Sequence, residues 1–417
     1  MRTLSAIILG KSISFISRKF NLGGGSAAPG LYALKLDSQL VKKLSSKIPT
    51  NIIITGTNGK TTTARMVVHF AKEVGLKVIR NHTGSNLERG IASTLIQNSR
   101  LHLRGVKLND NLGIWELDEF AFNSVALKLK PDLVVFLNVS RDQLDRYGEV
   151  DKVVNRWCET LVKLDPRTIV LINADDPNLD KLEKHFKGRV IKFSKKNIKN
   201  IKFDGLAGST FRLTINDKQG LRSDDLKRLT INLPLPGLYH IYDFLAAFYA
   251  GHELGFSSQK MISSLKSFRP AFGRVEKLDF GYIFLIKNPA GATQVFQTIS
   301  PQIKPGDRLL LALNDNLADG TDVSWIWDAQ FENLKSQMLN VKCFVSGTRA
   351  YDLANRLKYA GFDPKQIKIE PDLENALREA RKGLKGHLFI LPTYTAMLEL
   401  QGILTKSGIK KNYWEEN

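Results

Sequence analysis

With 417 residues, the chain is long enough for two or three domains that each have a complete core. Its hydrophobic content of 43% and charged content of 24% are those of an ordinary globular protein, and no run reaches the roughly 18 apolar residues of a transmembrane helix. The net charge of +20 indicates an anionic partner such as nucleic acid, anionic lipid or a phosphorylated substrate, unless the excess is only a lysine-rich surface.

The first 20 residues combine a basic start with a short apolar stretch. Lys11 interrupts this stretch, Arg18 and Lys19 follow it, and no small-residue cleavage site is present, so a signal peptide is not indicated. We predict an amphipathic helix packed on the first domain, with peripheral membrane contact as the alternative. A flexible loop at Gly23–Ser26 precedes the nucleotide domain, and residues 1–49 form this helix and lead-in segment.

The stretch after this segment has the pattern of a phosphate-binding loop. Asn51–Ile54 is an apolar run typical of a buried strand, and the residues from Ala64 onward have helical periodicity. Strand, glycine-rich loop and helix together place backbone N–H groups and a helix N-terminus around an anion. Ile54 stands where the usual Walker sequence has its first glycine, and a glycine-rich turn with a chance lysine is the alternative. The residues predicted to hold a nucleoside triphosphate are Gly56, Thr57, Asn58, Gly59, Lys60, Thr61 and Thr62.

Further apolar runs alternate with helical segments, which predicts a mostly parallel α/β sheet. The predicted strands are Val78–Asn81, Leu112–Glu116, Leu133–Leu137 and Thr168–Ile172. Functional groups of such sheets gather where the strands end. The polar segments at these ends are Glu116–Glu119, Asn138–Asp142 and Asn173–Asp176.

Residues 190–235 differ, because short alternating runs predict a small β insertion within a nucleotide domain of residues 50–270. Tyr239–Leu254 is predicted to be a helix and Arg269–Arg274 a linker. A second α/β unit occupies residues 271–417, with strands near 282–287, 308–313, 342–346 and 387–391. Cys158 and Cys343 lie far apart in the chain, which excludes a disulfide framework and fits a reducing cytoplasm.

Several of these motifs resemble those of known ligases. Gly56–Thr62, Asn173–Pro177 and Gly273–Glu276 are similar to segments of the Mur ligases. Three others resemble MurT-type subunits of lipid II isoglutaminyl synthase, and the resemblance extends from about residue 20 to the C-terminus. These segments are Arg141–Glu149, Lys287–Gly291 and Leu313–Asp328.

The resemblance implies a Mur ligase-like central ATP-binding domain, with a mostly parallel sheet and a small β insertion, followed by a Rossmann-like α/β domain. It implies ATP-dependent amidation of the α-carboxylate of D-glutamate in the lipid II stem peptide, through an acyl phosphate. Ammonia would come from a GatD-type glutaminase in a heterodimer, with ATP and Mg²⁺ as cofactors. Such an enzyme acts in the cytoplasm or at the inner face of the membrane. A stand-alone Mur-type or folylpolyglutamate-type ligase is the alternative, and the charge alone suggests a nucleic-acid-binding NTPase.

The family pattern also implies roles for individual residues. Lys60 would contact the transferring phosphoryl group, and Thr61 and Glu116 would hold Mg²⁺, with Asp118 and Glu119 as weaker metal candidates. Arg274, in the linker, would approach the phosphates when the C-terminal domain closes. The residues implied to line the base and ribose are Asn173, Asp175 and Asp176.

The sequence departs from the Mur ligase pattern at four places. Gln143 stands where a metal-binding histidine is usual, and Cys158 and Glu159 stand where a carbamylated lysine is usual, so Glu159 is a candidate substitute. The helix after Gly237 has His240 and Asp243 in place of two asparagines. The insertion has no cysteine, so we predict no zinc site where many relatives have a four-cysteine ribbon.

The segment Leu313–Asp328 contains more acidic and aromatic residues than a turn requires. A glutaminase needs a cysteine, a histidine and a third group that orients the imidazole. The resemblance implies that an aspartate of this segment supplies the third group. Asp328 is the first candidate, because it follows aromatic residues that could anchor a partner, and Asp322 is the alternative. Otherwise these acids bind substrate or only solvate a loop.

Overall fold

The first residues of the chain form helices that cover one face of a sheet. In a computed structural model, the described residues are 2–19, 27–81, 86–102, 105–108, 110–140, 150–214, 229–270, 274–335 and 341–409. Helix α1 spans Arg2–Lys19, α2 Ala28–Leu36 and α3 Leu40–Ser45. The helix predicted for the first 20 residues is therefore confirmed, and it packs against α2. None of the helices in the described ranges combines the length and apolar character needed to cross a bilayer.

The first sheet is six-stranded and parallel throughout, with the order β2-β5-β1-β6-β7-β8. Its strands are β1 (Thr50–Thr55), β2 (Val78–Arg80), β5 (Leu112–Leu117), β6 (Leu133–Phe136), β7 (Ile169–Asn173) and β8 (Arg189–Phe193). The helices between them are α4 (Lys60–Glu73), α5 (Glu88–Asn98), α6 (Ala121–Leu129), α7 (Val150–Leu161) and α8 (Asp180–Lys184). The short hairpin β3 (Arg100–His102) and β4 (Gly105–Lys107) precedes β5. The predicted parallel α/β sheet is confirmed.

The central strands are buried on both faces, as expected for a parallel sheet between helix layers. Successive side chains of β1 enter opposite cores: Ile52 and Ile54 pack with α4 residues such as Phe70, and Ile53 packs with Trp115 and the N-terminal helices. This rigid double packing fixes the point where β1 ends and the phosphate loop begins.

The small β insertion begins later than residue 190. Residues Arg189–Phe193 form the edge strand β8 of the first sheet, hydrogen-bonded to β7. An edge strand buries one face and exposes the other, and this alternation resembles that of a separate insertion. The antiparallel sheet of the insertion contains only β9 (Ile198–Phe203), β10 (Ser209–Leu213) and β11 (Leu229–Leu233). Helix α9 (Leu238–Glu253) follows and packs on α4, and α10 spans Ser258–Ser264.

The second sheet has the order β12-β13-β17-β14-β15-β16, in which β12 is antiparallel to β13 and the other pairs are parallel. Its strands are β12 (Arg274–Leu278), β13 (Gly281–Phe284), β14 (Arg308–Ala312), β15 (Lys342–Ser346), β16 (Ile367–Ile369) and β17 (Leu388–Pro392). The helices around it are α11 (Pro289–Ile299), α12 (Glu332–Lys335), α13 (Ala350–Tyr359), α14 (Leu373–Arg381) and α15 (Tyr394–Lys406). Strands β12 and β16 were not predicted from the sequence. Both lie at sheet edges, where few apolar residues are needed.

Candidate functional site

The loop between β1 and α4 depends on two glycines with positive φ. Gly56 has a φ of 136° and Gly59 a φ of 89°, which L side chains rarely adopt. A Cβ at Gly59 would lie 2.1 Å from Oδ1 of Asp243, so only glycine fits there. The loop therefore turns directly into the N-terminus of α4, where the unpaired N–H groups of the first helical turn can bind an anion.

Asn138, at the end of β6, holds the loop in this shape. The N–H of Asn58 donates to Oδ1 of Asn138 at 2.9 Å, and the amide group of Asn138 donates to the carbonyl of Asn58 at 3.0 Å. The N–H of Thr57 donates to the carbonyl of Asn138 at 3.0 Å. In the sequence Asn138 stands out only as part of a polar segment, because this role depends on the pairing of β1 with β6.

Lys60 begins α4 and forms an ion pair in the interior of the site. Its Nζ lies 3.3 Å from Oε2 of Glu119 and donates to the carbonyls of Gly56 and, at 3.3 Å, Thr57. Both charged side chains are largely buried, with exposed fractions of 11% and 6%. The indole of Trp157 donates to the carbonyl of Glu119 at 2.8 Å, which fixes the backbone that carries this carboxylate. Glu119 is thus the ionic partner of Lys60.

Thr61 and Glu116 meet on the other side of the helix start. The hydroxyl of Thr61 donates to Oε2 of Glu116 at 2.7 Å. The guanidinium of Arg80 lies 3.7 Å from Oε1, and Asn81 exchanges two hydrogen bonds with the backbone of Glu116. The Glu116 side chain is 3% exposed, so a carboxylate is buried beside a hydroxyl at the phosphate loop.

The residues present fit a Mg²⁺ ion. Magnesium prefers hard oxygen ligands at about 2.0–2.1 Å in an octahedron, usually one or two protein groups completed by phosphates and water. Neighbouring ligands of such an octahedron are about 2.9 Å apart. The oxygens of Thr61 and Glu116 are separated by 2.7 Å, close to this spacing. Mg²⁺ remains a proposal, with these two residues as its ligands.

A cavity of about 250 Å³ opens beside the loop, between the ends of the first-sheet strands and the start of the second sheet. The polar residues that line it from the phosphate loop, the ends of the first-sheet strands and α9 include Asn58, Asn138, Asn173, Asp175, Asp176, His240, Tyr242 and Asp243. From the other side it is lined by residues of β13, of α11 and of the segment between them, including Phe284, Lys287, Gly291 and Gln294. A site of this form can hold a nucleotide whose phosphates point to the loop.

Two carboxylates of the cavity wall accept hydrogen bonds from neighbouring segments of the protein. Asp175 accepts hydrogen bonds from the hydroxyls of Ser194 and Tyr242, each at 2.8 Å, and from the N–H of Lys195 at 2.7 Å. Burial alone would raise the pKa of Asp175, but these hydrogen bonds hold it below its usual value. Asp176 accepts from the N–H of Val139 at 2.7 Å. Both therefore join neighbouring strand ends, and any nucleotide contact is additional to this role.

The segment Lys287–Gly291 reaches the phosphate loop from the second sheet. Nζ of Lys287 lies 3.4 Å from the carbonyl of Thr57, and the side-chain amides of Asn288 and Asn58 pair at 3.1 and 3.2 Å. Asn288 also caps α11 by accepting from the N–H of Gly291 at 2.8 Å. The role of this lysine could not be predicted from the sequence, because 230 residues separate it from Thr57.

Three further positions complete the predicted set. Arg274 begins β12, but its side chain lies outside the described residues, as does Gln143. Glu159 is exposed on α7, about 200° around the helix from Trp157, whose indole reaches the site. Glu159 therefore points away from the phosphate loop, and the suggestion that it substitutes for the carbamylated lysine is wrong.

The acids of the 313–328 segment divide into two kinds. Asp315 is hydrogen-bonded to Thr348 and Arg349, which lower its pKa, and Asp319 accepts from the backbone and hydroxyl of Thr395. Burial raises the pKa of Asp319. Asp322 and Asp328 are exposed at the two ends of a short 3₁₀ helix, Ser324–Trp327. None of these described acids lines the cavity.

Comparison with known proteins agrees with this architecture. Residues 54–251 match the Mur ligase middle domain, and residues 285–397 match the MurT ligase C-terminal domain. The chain is 31% identical to the MurT subunit of a glutamine-hydrolysing lipid II isoglutaminyl synthase from Streptococcus pneumoniae, over 98% of each chain. It is 29% identical to the corresponding subunit from Staphylococcus aureus, over 98% of this chain and 99% of that one.

Among solved structures, the fold is similar to that of MurF ligase from Thermotoga maritima in complex with ADP. The TM-score is 0.67 at 16% identity, covering 90% of this chain and 85% of the other. This likeness establishes the Mur ligase fold. Because a relative 31% identical aligns over nearly the full length of both proteins, the chain belongs to the MurT family of ATP-dependent ligases.

Proposed function

We propose that this chain is the synthetase subunit of a glutamine-dependent amidating enzyme, which converts the α-carboxylate of D-glutamate in the lipid II stem peptide to the amide of D-isoglutamine. The observation that carries the proposal is the convergence of Lys60, the Thr61–Glu116 pair and Lys287 on one phosphate loop. The two MurT relatives are subunits of lipid II isoglutaminyl synthases, which supports lipid II as the substrate. We further propose that residues 50–270 and 271–417 are the two domains that carry these groups.

The reaction needs activation because a carboxylate is a poor electrophile. A carboxylate oxygen attacks the γ-phosphorus of ATP and ADP leaves, which gives an acyl phosphate. Ammonia then attacks the acyl carbon, phosphate leaves with the C–O bond electrons, and the nitrogen loses a proton. In phosphoryl transfer the protein acts mainly by positioning and by stabilising charge on the transferring group.

Within this scheme the described residues have distinct tasks. The loop N–H groups and Lys60 bind the phosphates. The carboxylate of Glu119 holds the ammonium group of Lys60 beside the loop. When the phosphates bind, they compete with Glu119 for the positive charge of Lys60. Thr61 and Glu116 would hold Mg²⁺, whose chemistry is to neutralise charge on the phosphate oxygens. Asn288 joins the second domain to the loop through Asn58, so closure of the two domains would exclude water from the acyl phosphate.

The most direct test uses the purified chain with a GatD-type glutaminase, lipid II, ATP, Mg²⁺ and glutamine. We expect one amide per stem peptide, detected by mass spectrometry as the exchange of a hydroxyl for an amino group. ADP should form in equal amount. A product extended by an amino acid would favour a stand-alone Mur-type or folylpolyglutamate-type ligase, and ATP hydrolysis without amidation would contradict the proposal.

Replacement of Lys287 by methionine should lower kcat/KM for ammonium-dependent amidation by about 10- to 100-fold. Methionine matches the lysine side chain up to Cε but removes the cation that the second domain brings to the phosphate loop. The measurement is ADP release with ammonium chloride as the nitrogen source.

Lys277→Met is the matched control for this substitution, because Lys277 is exposed on β12 of the same sheet. It should retain the activity of the unmodified protein. Equal activity in the two variants would remove Lys287 from the site.

A further inference from the structure

The outer surface of the two N-terminal helices is apolar. Leu4, Ile8 and Phe15 of α1 have exposed fractions of 46%, 48% and 67%. At 100° per residue, these three side chains fall within about 40° of one another around the helix. Ala6 and Gly10 lie on the opposite side and are buried. The exposed positions thus form one stripe along α1, directed away from the protein.

Helix α2 extends this surface. The hydroxyl of Thr3 donates to Asp37 at 2.7 Å, and a Cβ at Gly10 would lie 3.4 Å from the carbonyl of Pro29. The start of α1 therefore meets the end of α2, and the two helices are antiparallel. We call the exposed apolar residues of this hairpin the N-terminal apolar face: Leu4, Ile8, Phe15, Ile16, Leu31, Tyr32 and Leu36.

The N-terminal segment that carries this face is strongly basic. Residues 1–49 contain eight lysines and arginines and one acid, a net charge of +7, whereas the other 368 residues together carry +13. The acid, Asp37, is neutralised by Lys43 at 2.8 Å. The side chains of Arg2, Lys19, Lys35 and Lys42 are exposed. Lys19 lies one turn after Phe15, and Lys35 one turn after Leu31, so cations flank the apolar side chains.

We propose that the N-terminal apolar face docks on the anionic surface of a phospholipid membrane. Helices that lie in the membrane interface combine an apolar stripe with flanking Lys and Arg, and bind through both buried apolar area and attraction to anionic lipids. A second copy of the chain is a poorer partner, because two segments of charge +7 would face each other. The benefit of docking rests on the proposed function, because docking would hold the enzyme beside a lipid-linked substrate. Membrane binding itself does not depend on the proposed function.

The test is sedimentation of the full chain with vesicles, in the absence of lipid II, ATP and glutaminase. We expect the protein to pellet with vesicles of equal phosphatidylglycerol and phosphatidylcholine, and much less with phosphatidylcholine alone or at high salt. The double variant Ile8→Asp/Phe15→Asp should bind at least about tenfold more weakly. Phe203→Asp is the matched control, because Phe203 on β9 is 51% exposed and follows Lys202 directly, and its binding should not change.

A second variant, Lys19→Glu/Lys35→Glu, alters only exposed charges and should also weaken binding to anionic vesicles. It tests the proposal independently if the apolar variant does not fold. Failure of the unmodified protein to bind anionic vesicles would overturn the proposal, as would equal binding by the Phe15 and Phe203 variants. Concentration-dependent dimers that disappear in the apolar variant, without vesicle binding, would assign the face to a second copy. Amidation of detergent-solubilised lipid II, measured separately, distinguishes a failure of docking from a failure of the proposed function.

Discussion

Replacement of Lys60 by alanine is expected to lower ATP-dependent amidation by at least about a hundredfold, with either glutamine or ammonium as the nitrogen source. Lys60 begins α4 inside the phosphate loop, and its Nζ lies within hydrogen-bonding distance of two loop carbonyls. Without it, the phosphate loop would lose its own cation beside the transferring phosphoryl group. ADP formation and amide formation should be lost together.

This substitution also affects stability, which the sequence did not indicate. Lys60 pairs with Glu119, whose side chain is only 6% exposed, so alanine leaves a buried carboxylate without its partner. Removing one partner of a buried ion pair costs about 3–5 kcal/mol. Thermal unfolding should therefore show a lower midpoint for Lys60→Ala.

The double variant Lys60→Ala/Glu119→Gln separates the two effects. Neutral glutamine should recover most of the lost stability, but activity should stay low because the cation is still missing. Recovery of activity together with stability would mean that Lys60 serves the fold rather than the phosphates. Full activity in Lys60→Ala would contradict the assignment of the phosphate loop itself.

The parts of the site that could be predicted from the sequence are those encoded locally. β1, the glycine loop and α4 are contiguous, and the two glycines with positive φ are both within the predicted motif. The polar residues after β5 and β7 could be placed near the loop because parallel strands end at the same edge of the sheet. The common direction of the parallel strands was sufficient for this inference.

The remaining contacts depend on how distant segments meet. The pairing of Lys60 with Glu119 requires the register of β1 against β5, and the contact of Lys287 with Thr57 requires the packing of the second sheet on the first. Edge strands were misplaced for a related reason. β8 alternates because only one of its faces is covered, which short-range periodicity cannot distinguish from an isolated β insertion.

The exposed acids of the 313–328 segment are candidates for contact with the proposed glutaminase partner. Asp322 and Asp328 are exposed at the two ends of the Ser324–Trp327 3₁₀ helix, whereas Asp315 and Asp319 are partly buried, so the exposed pair is better placed to meet another subunit. An exposed aromatic pair adjoins them: Trp327 lies 5.7 Å from Tyr359, and the two are 49% and 69% exposed. Exposed aromatic residues of this kind are typical anchors of protein interfaces.

We propose that one of these two aspartates orients the histidine of the glutaminase. Asp328→Asn is expected to lower glutamine-dependent amidation by at least about a hundredfold, because an asparagine in this position of a triad favours the wrong imidazole tautomer. Activity with added ammonium should be largely retained, since the synthetase site does not include this residue. Asp322→Asn is the alternative, and the same split between nitrogen sources should identify which of the two acts.

Asp363→Asn is the matched control for Asp322→Asn. Each aspartate accepts a hydrogen bond from the N–H two residues later, Ser324 at 2.8 Å and Lys365 at 2.9 Å, at the start of a 3₁₀ helix. The two substitutions therefore remove the same local contact, and only a contact with the partner should distinguish them. Equal loss with glutamine and with ammonium would place the residue in the synthetase reaction instead. Full activity of both Asp328→Asn and Asp322→Asn would exclude this segment from the chemistry, because no nitrogen source would then depend on it.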